Sequence, residues 1–317
     1  MTFLSLLTKE LRLRLRRERT IWVIITYVLL MGFIGWLFLS NTDTSSYSGS
    51  GGSGLSDVGA NLYSLLAQVQ LFLIIFITPS LTATAINGEK ERQTYEMLLC
   101  SRLSAFSLIM GKLGAGLINA LLLIAAAIPL FSLVFFFGGV GPAQVGSALV
   151  IYLVTALWLG TLGIFCSTAF QRPALSTALA YMVSLIWMVF PLLLSIILIT
   201  SGQGYHFFQL YPNKSKLFFV WNPIVALTTT TPNNSTFSPF MFFVDFGYGT
   251  GYGGTASSAT PVTIGSWHLS YWATYTIISV AMALIFILLS MLMVKPRHYR
   301  ASRRHLIRRT NKTPITA

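Results

Sequence analysis

Between Asn87 and Lys112 the chain gathers Glu89, Glu91 and Glu96, three of its eight acidic residues, with Lys90, Arg92, Arg102 and Lys112 interspersed. The chemistry these residue types offer at this spacing is docking. Asn87 can cap a helix beginning at Gly88, with Glu89 and Glu91 in the first turn, where the helix dipole favours negative charge. Glu89 to Gln93 and Arg92 to Glu96 are each four apart and share a helix surface, while Tyr95, Leu98 and Leu99 form an apolar edge. Around Cys100 to Leu103 the pattern breaks, and Ser104 can cap a second helix running through Lys112 into the next apolar run. The result is a short elbow with a charged face and an apolar knob, able to seat in a groove of a partner. The same pattern also fits a solvated loop helix with no partner.

The elements that must position this island are membrane helices. Of 317 residues 54% are hydrophobic and only 9% charged, with a mean hydropathy of +0.71, whereas roughly a quarter of residues are charged in soluble domains. This is the composition of an all-α integral membrane protein with no soluble domain large enough to hold its own core. Six apolar runs, about 21–39, 61–86, 113–137, 145–170, 174–200 and 267–294, each have the length needed to cross ~30 Å of hydrocarbon. Residues 1–20 place Phe3, Leu4, Leu7, Leu11 and Leu15 at helical spacing among six Lys and Arg, either as an amphipathic interfacial helix or as a positive flank that orients the first span. Asn41 to Gly59 is a Ser/Gly loop, 138–142 a tight Gly-Gly-Val-Gly-Pro turn, 201–266 the longest connection and 295–317 a basic tail.

Within the spans, Gln68 and Gln70 must find partners in the bundle or line a polar path. Pro79 can kink the second span, and Ser176, Ala180 and Ser184 form a small-residue face for close helix packing. Orientation follows from the cations. Six precede the first span, four lie in the island, one is Arg172 and eight follow the sixth span, against Lys214 and Lys216 alone on the other side. The positive-inside bias puts both termini, the island and Arg172 in the cytoplasm and the 201–266 loop outside. The protein is thus expected to be a multi-pass protein of the cell (cytoplasmic or inner) membrane.

Several function classes fall away. The formal charge of +13 lies beside the spans, as topology signals and lipid contacts do, so nucleic acid is not an expected partner. Cys100 and Cys166 make neither a disulfide framework nor a metal site. No Asp, Glu, Lys, Arg or His stands mid-span, which argues against ion-coupled transport and voltage sensing. Gly111-Lys112 is followed by Leu113 and lacks the upstream glycine of a phosphate-cradling loop. No catalytic, cofactor or metal residue is expected in this chain, so work done uphill must come from another polypeptide.

Glu89-Lys90-Glu91-Arg92-Gln93-Thr94-Tyr95-Glu96-Met97-Leu98-Leu99, then Ser104 and Gly111-Lys112, resembles the stretch after the second span in permease subunits of type-2 ABC exporters. Gln93 stands where glycine is usual there, and Arg102 roughly where proline is usual. The resemblance extends to the layout of an N-terminal amphipathic helix, six spans, inside termini and a long outer segment before the last span. It implies that the elbow is a cytoplasmic coupling helix between spans 2 and 3, docking on a separate ABC ATPase that binds ATP and Mg. Glu89, Glu91, Arg92 and Glu96 would make the polar contacts, and Tyr95 and Leu98 the anchors. It implies a second permease chain, identical or not, and an outer re-entrant segment between spans 5 and 6. Leu217 to Leu227 and Phe237 to Phe246 suit that segment, and Phe218, Phe219, Trp221 and Pro223 could form an outer gate.

Two other classes stay open. Phe246-Gly247-Tyr248-Gly249 resembles the Gly-Tyr-Gly of a potassium filter, although Asp245 and Phe246 occupy its Thr-Val places, so a six-span channel with an outer pore loop is one alternative. A membrane scaffold that recruits a cytosolic protein through the elbow is the other. The expectation carried forward is an exporter permease for a hydrophobic or amphipathic substrate, because its spans lack charge.

Overall fold

The computed structural model describes residues 18–42, 53–93, 105–200, 219–231, 262–264 and 267–294. The amphipathic segment before Glu18 and the basic tail lie outside them. Six helices are long and apolar enough to cross a membrane: α1 (Glu18–Asn41), α2 (Ser53–Thr82), α4 (Ala105–Phe137), α5 (Pro142–Ala169), α6 (Pro173–Thr200) and α8 (Tyr271–Val294). Between α2 and α4 lies the five-residue helix α3 (Asn87–Glu91), and between α6 and α8 the six-residue helix α7 (Pro223–Thr228). Two three-residue strands, β1 (Val262–Ile264) and β2 (Trp267–Leu269), pair antiparallel with Val262 opposite Leu269 and Ile264 opposite Trp267.

The hub of the bundle is α5. It packs against α2, α4, α6, α7 and α8, and 67% of its most apolar stretch is buried, against 11% for α1 and 22% for α8. The peripheral helices therefore turn most of their side chains outward, among them Trp22, Phe33 and Trp36 on α1 and Leu288 and Leu292 on α8. In hydrocarbon such side chains lose nothing by exposure, so close packing and internal hydrogen bonds must hold the bundle together. Tyr152 Oη donates to Ala67 O at 2.9 Å, Tyr275 Oη and Thr155 Oγ1 lie 2.7 Å apart, and Tyr27 Oη donates to Gln70 Oε1. The last of these gives Gln70 the interhelical partner that a polar side chain in a span requires. Trp158 and Trp187 stack across α5 and α6 with centroids 4.2 Å apart.

The tightest crossing lies at the C-terminal end of α2. Thr82 is fully buried, and a Cβ placed on Gly163 would overlap its hydroxyl while one on Gly116 would overlap its methyl. Glycine at these two positions lets α4 and α5 close onto the Thr82 side chain, and α5 onto the backbone beside it. Ser176, Ala180 and Ser184 are all buried, and Ser176 Oγ donates to Ala83 O at 2.9 Å, so the small-residue face of α6 also packs closely.

Two boundaries differ from those read off hydropathy. Helix α2 starts at Ser53, about two turns before Asn61, within the Ser/Gly loop. The turn at Gly138 and Gly139, with φ of +83° and +81°, comes so close that a Cβ on Gly59 would overlap Gly138 O. Val58 and Ala60 are buried in this region, and that packing extends the helix through residues with little helical preference. Helix α4 starts at Ala105 and runs without a break through Lys112 into the third apolar run, as the reading of a second helix after Ser104 expected. Trp267 to Leu269, placed by hydropathy in the last span, instead form β2, and α8 begins at Tyr271. Apart from this ribbon, every regular element among the described residues is helical.

Candidate functional site

The island leaves α2 almost without interruption. Gly88 N–H donates to Thr84 O at 3.0 Å and Lys90 N–H to Ile86 O at 3.1 Å. The donors of Gly88, Glu89 and Lys90 are thus satisfied by backbone carbonyls of the preceding turns and that of Asn87 by Ser167 Oγ on α5, so none is left for a cap by the Asn87 side chain. This corrects the assignment of Asn87 as an N-cap. The helix begins at Asn87 itself, whose side chain is wholly buried with no hydrogen-bond partner for either amide atom among the described residues.

At the other end α3 stops after Glu91, and Gln93 has φ +58°. The left-handed conformation ends the helix, so Glu89 and Gln93 do not share a helical face as their spacing implied. Gln93 therefore occupies, in a glycine-type conformation, the position where the resembling permeases usually have glycine. Holding a residue with a Cβ there costs about 1–2 kcal/mol, partly offset in a glycine variant by the extra freedom of the unfolded chain. Gln93→Gly is expected to stabilise the elbow by about 0.5–1 kcal/mol, read as slower amide hydrogen exchange at 88–93. Gln93→Ala keeps the Cβ and should give no such gain.

Four contacts fix the elbow to the bundle. Lys112 Nζ on α4 lies 2.5 Å from Glu89 Oε1, and Lys112 is only 8% exposed. Ser167 Oγ on α5 accepts from the N–H groups of both Ile86 and Asn87, at 2.9 and 3.0 Å. Lys90 Nζ donates to Thr168 O at 2.9 Å and Ser167 O at 3.4 Å, the carbonyls that end α5, where a cation also meets the negative end of the helix dipole. Loss of surrounding water pushes the Lys90 ammonium below the ordinary lysine range. The bond from Ser176 to Ala83 adds α6 as a fourth support.

Of the six residues assigned to docking, the structure thus places Glu89 inward on Lys112 and leaves Glu91 and Arg92 exposed. Tyr95, Glu96 and Leu98 lie outside the described residues. Lys112, Ser167 and Lys90 were not among the site candidates. Lys112 carried a readable signal, since a cation inside an apolar helical run must find a partner; Ser167, one hydroxyl among many, carried none.

At the opposite end of the bundle, residues 219–231 fold inward. Phe219 and every residue of α7 are buried, and Trp221 partly so. Asn222 caps α7, its Oδ1 accepting from Ile224 N–H at 2.9 Å while its Nδ2 donates to Met188 O on α6 at 3.0 Å. Thr230 Oγ1 lies 3.2 Å from Tyr63 Oη on α2. Three of the four gate candidates, Phe219, Trp221 and Pro223, therefore belong to one inserted plug held by polar bonds at both ends; Phe218, the 237–246 stretch and the Gly-Tyr-Gly segment lie outside the described residues. Asn222→Ala removes both the cap and the bond to α6. It is expected to destabilise the protein by about 1–2 kcal/mol, measured by thermal unfolding in detergent, with Asn222→Asp retaining the cap but losing the donor to Met188.

Among the described residues no cluster of His, Cys, Asp and Glu could hold a metal ion. No curated protein matches the chain. The model of the ABC-2 family transporter proteins matches residues 42–292, from the end of α1 almost to the end of α8. With six apolar helices packed around α5 and a charged elbow between the second and third, the chain belongs to the ABC-2 family of transporter proteins and is a multi-pass membrane permease subunit of an ABC transporter.

Proposed function

We propose that this permease exports a hydrophobic or amphipathic substrate, driven by ATP hydrolysis on a separate cytoplasmic ABC ATPase that docks on the elbow. The observation that carries the reading is the elbow itself. Glu91, Arg92 and Gln93 are exposed in sequence, while the helix they terminate is bonded to α4 and α5 at its back and the turn before it to α6. A docking element needs both properties, a charged face open to a partner and a base that does not yield under load.

In this reading Glu91, Arg92 and Glu96 make polar contacts to the ATPase, Tyr95 and Leu98 anchor the helix, and Glu89 keeps it seated through Lys112. The positive-inside distribution of Lys and Arg supports a cytoplasmic elbow. The plug around α7 would then be the outer re-entrant segment, with Phe219, Trp221 and Pro223 in the gate. Two such chains, identical or different, would enclose the path. The described helices carry no charge at mid-span, which supports an apolar or amphipathic cargo over an ion.

The test is to purify the tagged chain in mild detergent from its native host and to identify what comes with it. A stoichiometric ATPase is expected, reduced at least tenfold by Glu91→Ala combined with Glu96→Ala. Absence of an ATPase even after gentle crosslinking would overturn the reading and send the protein to conductance measurements in planar bilayers.

A further inference from the structure

A push on the elbow has to reach the rest of the bundle. The covalent route runs back through the turns at 83–86 into α2 and on along the chain after Arg92 into α4. The contacts offer another. Glu89 meets Lys112 in the third turn of α4, and Ser167 Oγ holds two successive backbone N–H groups of the elbow against the last turn of α5. Lys90 closes over the same turn onto two of its carbonyls. The two directions of restraint differ. An ion pair with both side chains mostly buried resists separation of α3 from α4, and a hydroxyl with both lone pairs engaged fixes α3 against α5.

We infer that the Glu89–Lys112 pair and the Ser167 clasp together form a strut that delivers displacement of the elbow directly to α4 and α5, making Lys112 and Ser167 positioning residues for coupling. This rests on the elbow being where the ATPase docks. The strut explains why Glu89, in the middle of a charged run, turns inward, and why a lysine is kept in the first turns of an otherwise apolar helix.

The experiment uses the full permease–ATPase complex in lipid nanodiscs and hydrogen exchange at 105–116 and 162–170, compared with and without ATP plus vanadate. Wild type is expected to show a nucleotide-dependent change at both segments. In Glu89→Gln with Lys112→Met, a neutral pair that leaves no buried charge, the ATPase should still co-purify and hydrolyse ATP, but the change should shrink at least threefold. Glu89→Lys with Lys112→Glu should restore it, and Ser167→Ala should lose it at 162–170 first. A wild-type response in the neutral pair would overturn the strut while leaving the docking reading intact. If no ATPase accompanies the wild type, docking itself fails, and the strut is then judged on exchange at 84–93 in the permease alone. There a rise of about tenfold in Ser167→Ala and in the neutral pair supports it, and unchanged exchange overturns it.

Discussion

Lys112→Met is expected to destabilise the protein by about 3–5 kcal/mol, the range found when one partner of a buried ion pair is removed. Lys112 is 8% exposed, and the Glu89 side chain beside it 19%. Taking away the ammonium leaves a carboxylate with little water and without its closest cation. Glu89→Gln with Lys112→Met should recover most of the loss, because a neutral pair pays no comparable desolvation penalty. Thermal unfolding of the four proteins of this cycle in one detergent gives the coupling energy directly. Effects that add to within about 0.5 kcal/mol would show that the two groups do not depend on each other.

The second large effect is expected at Ser167→Ala. One oxygen atom accepts from Ile86 N–H and Asn87 N–H, and both residues are buried. Each buried donor left without an acceptor costs about 1–3 kcal/mol, so a loss of about 2–6 kcal/mol is expected from deleting a single atom. Ser132→Ala is the natural control, since its exposed hydroxyl only back-bonds to Pro129 O within its own helix. Equal unfolding temperatures for the two variants would mean that the clasp contributes nothing.

These two side chains also show how far the sequence could be read. The six membrane helices were legible because hydrocarbon thickness demands long apolar runs. The turn at Gly138 and Gly139 was legible because two glycines before Gly141-Pro142 have few other uses. The elbow was legible as a charged interval. Its internal geometry was not. Glu89 pairs with Lys112, on a different helix, and no helical spacing links them; the i to i+4 rule pointed to Gln93 instead. Asn87 looked like a cap because its side chain often is one, but α2 continues close enough to supply the carbonyls. The early start of α2 at Ser53 depends on Gly138 and Gly139 packing against Ser56 and Gly59 from far along the chain. Each of these is a tertiary contact overriding a local preference.

The crossing of Thr82 with Gly116 and Gly163 has a mechanical consequence. Backbones that close cannot slide past one another without collision, so the movement left to α2 at that level is rotation about the contact. The point acts as a fulcrum set near one end of a rod. Helix α2 ends at Thr82, and at 1.5 Å per residue Tyr63 lies roughly 28 Å back along it. A rigid tilt of α2 about Thr82 would therefore be small at the crossing and large at the level of Tyr63. That is where Tyr63 meets Thr230, so a tilt too small to disturb the crossing would be felt first in the hydrogen bond that holds the plug.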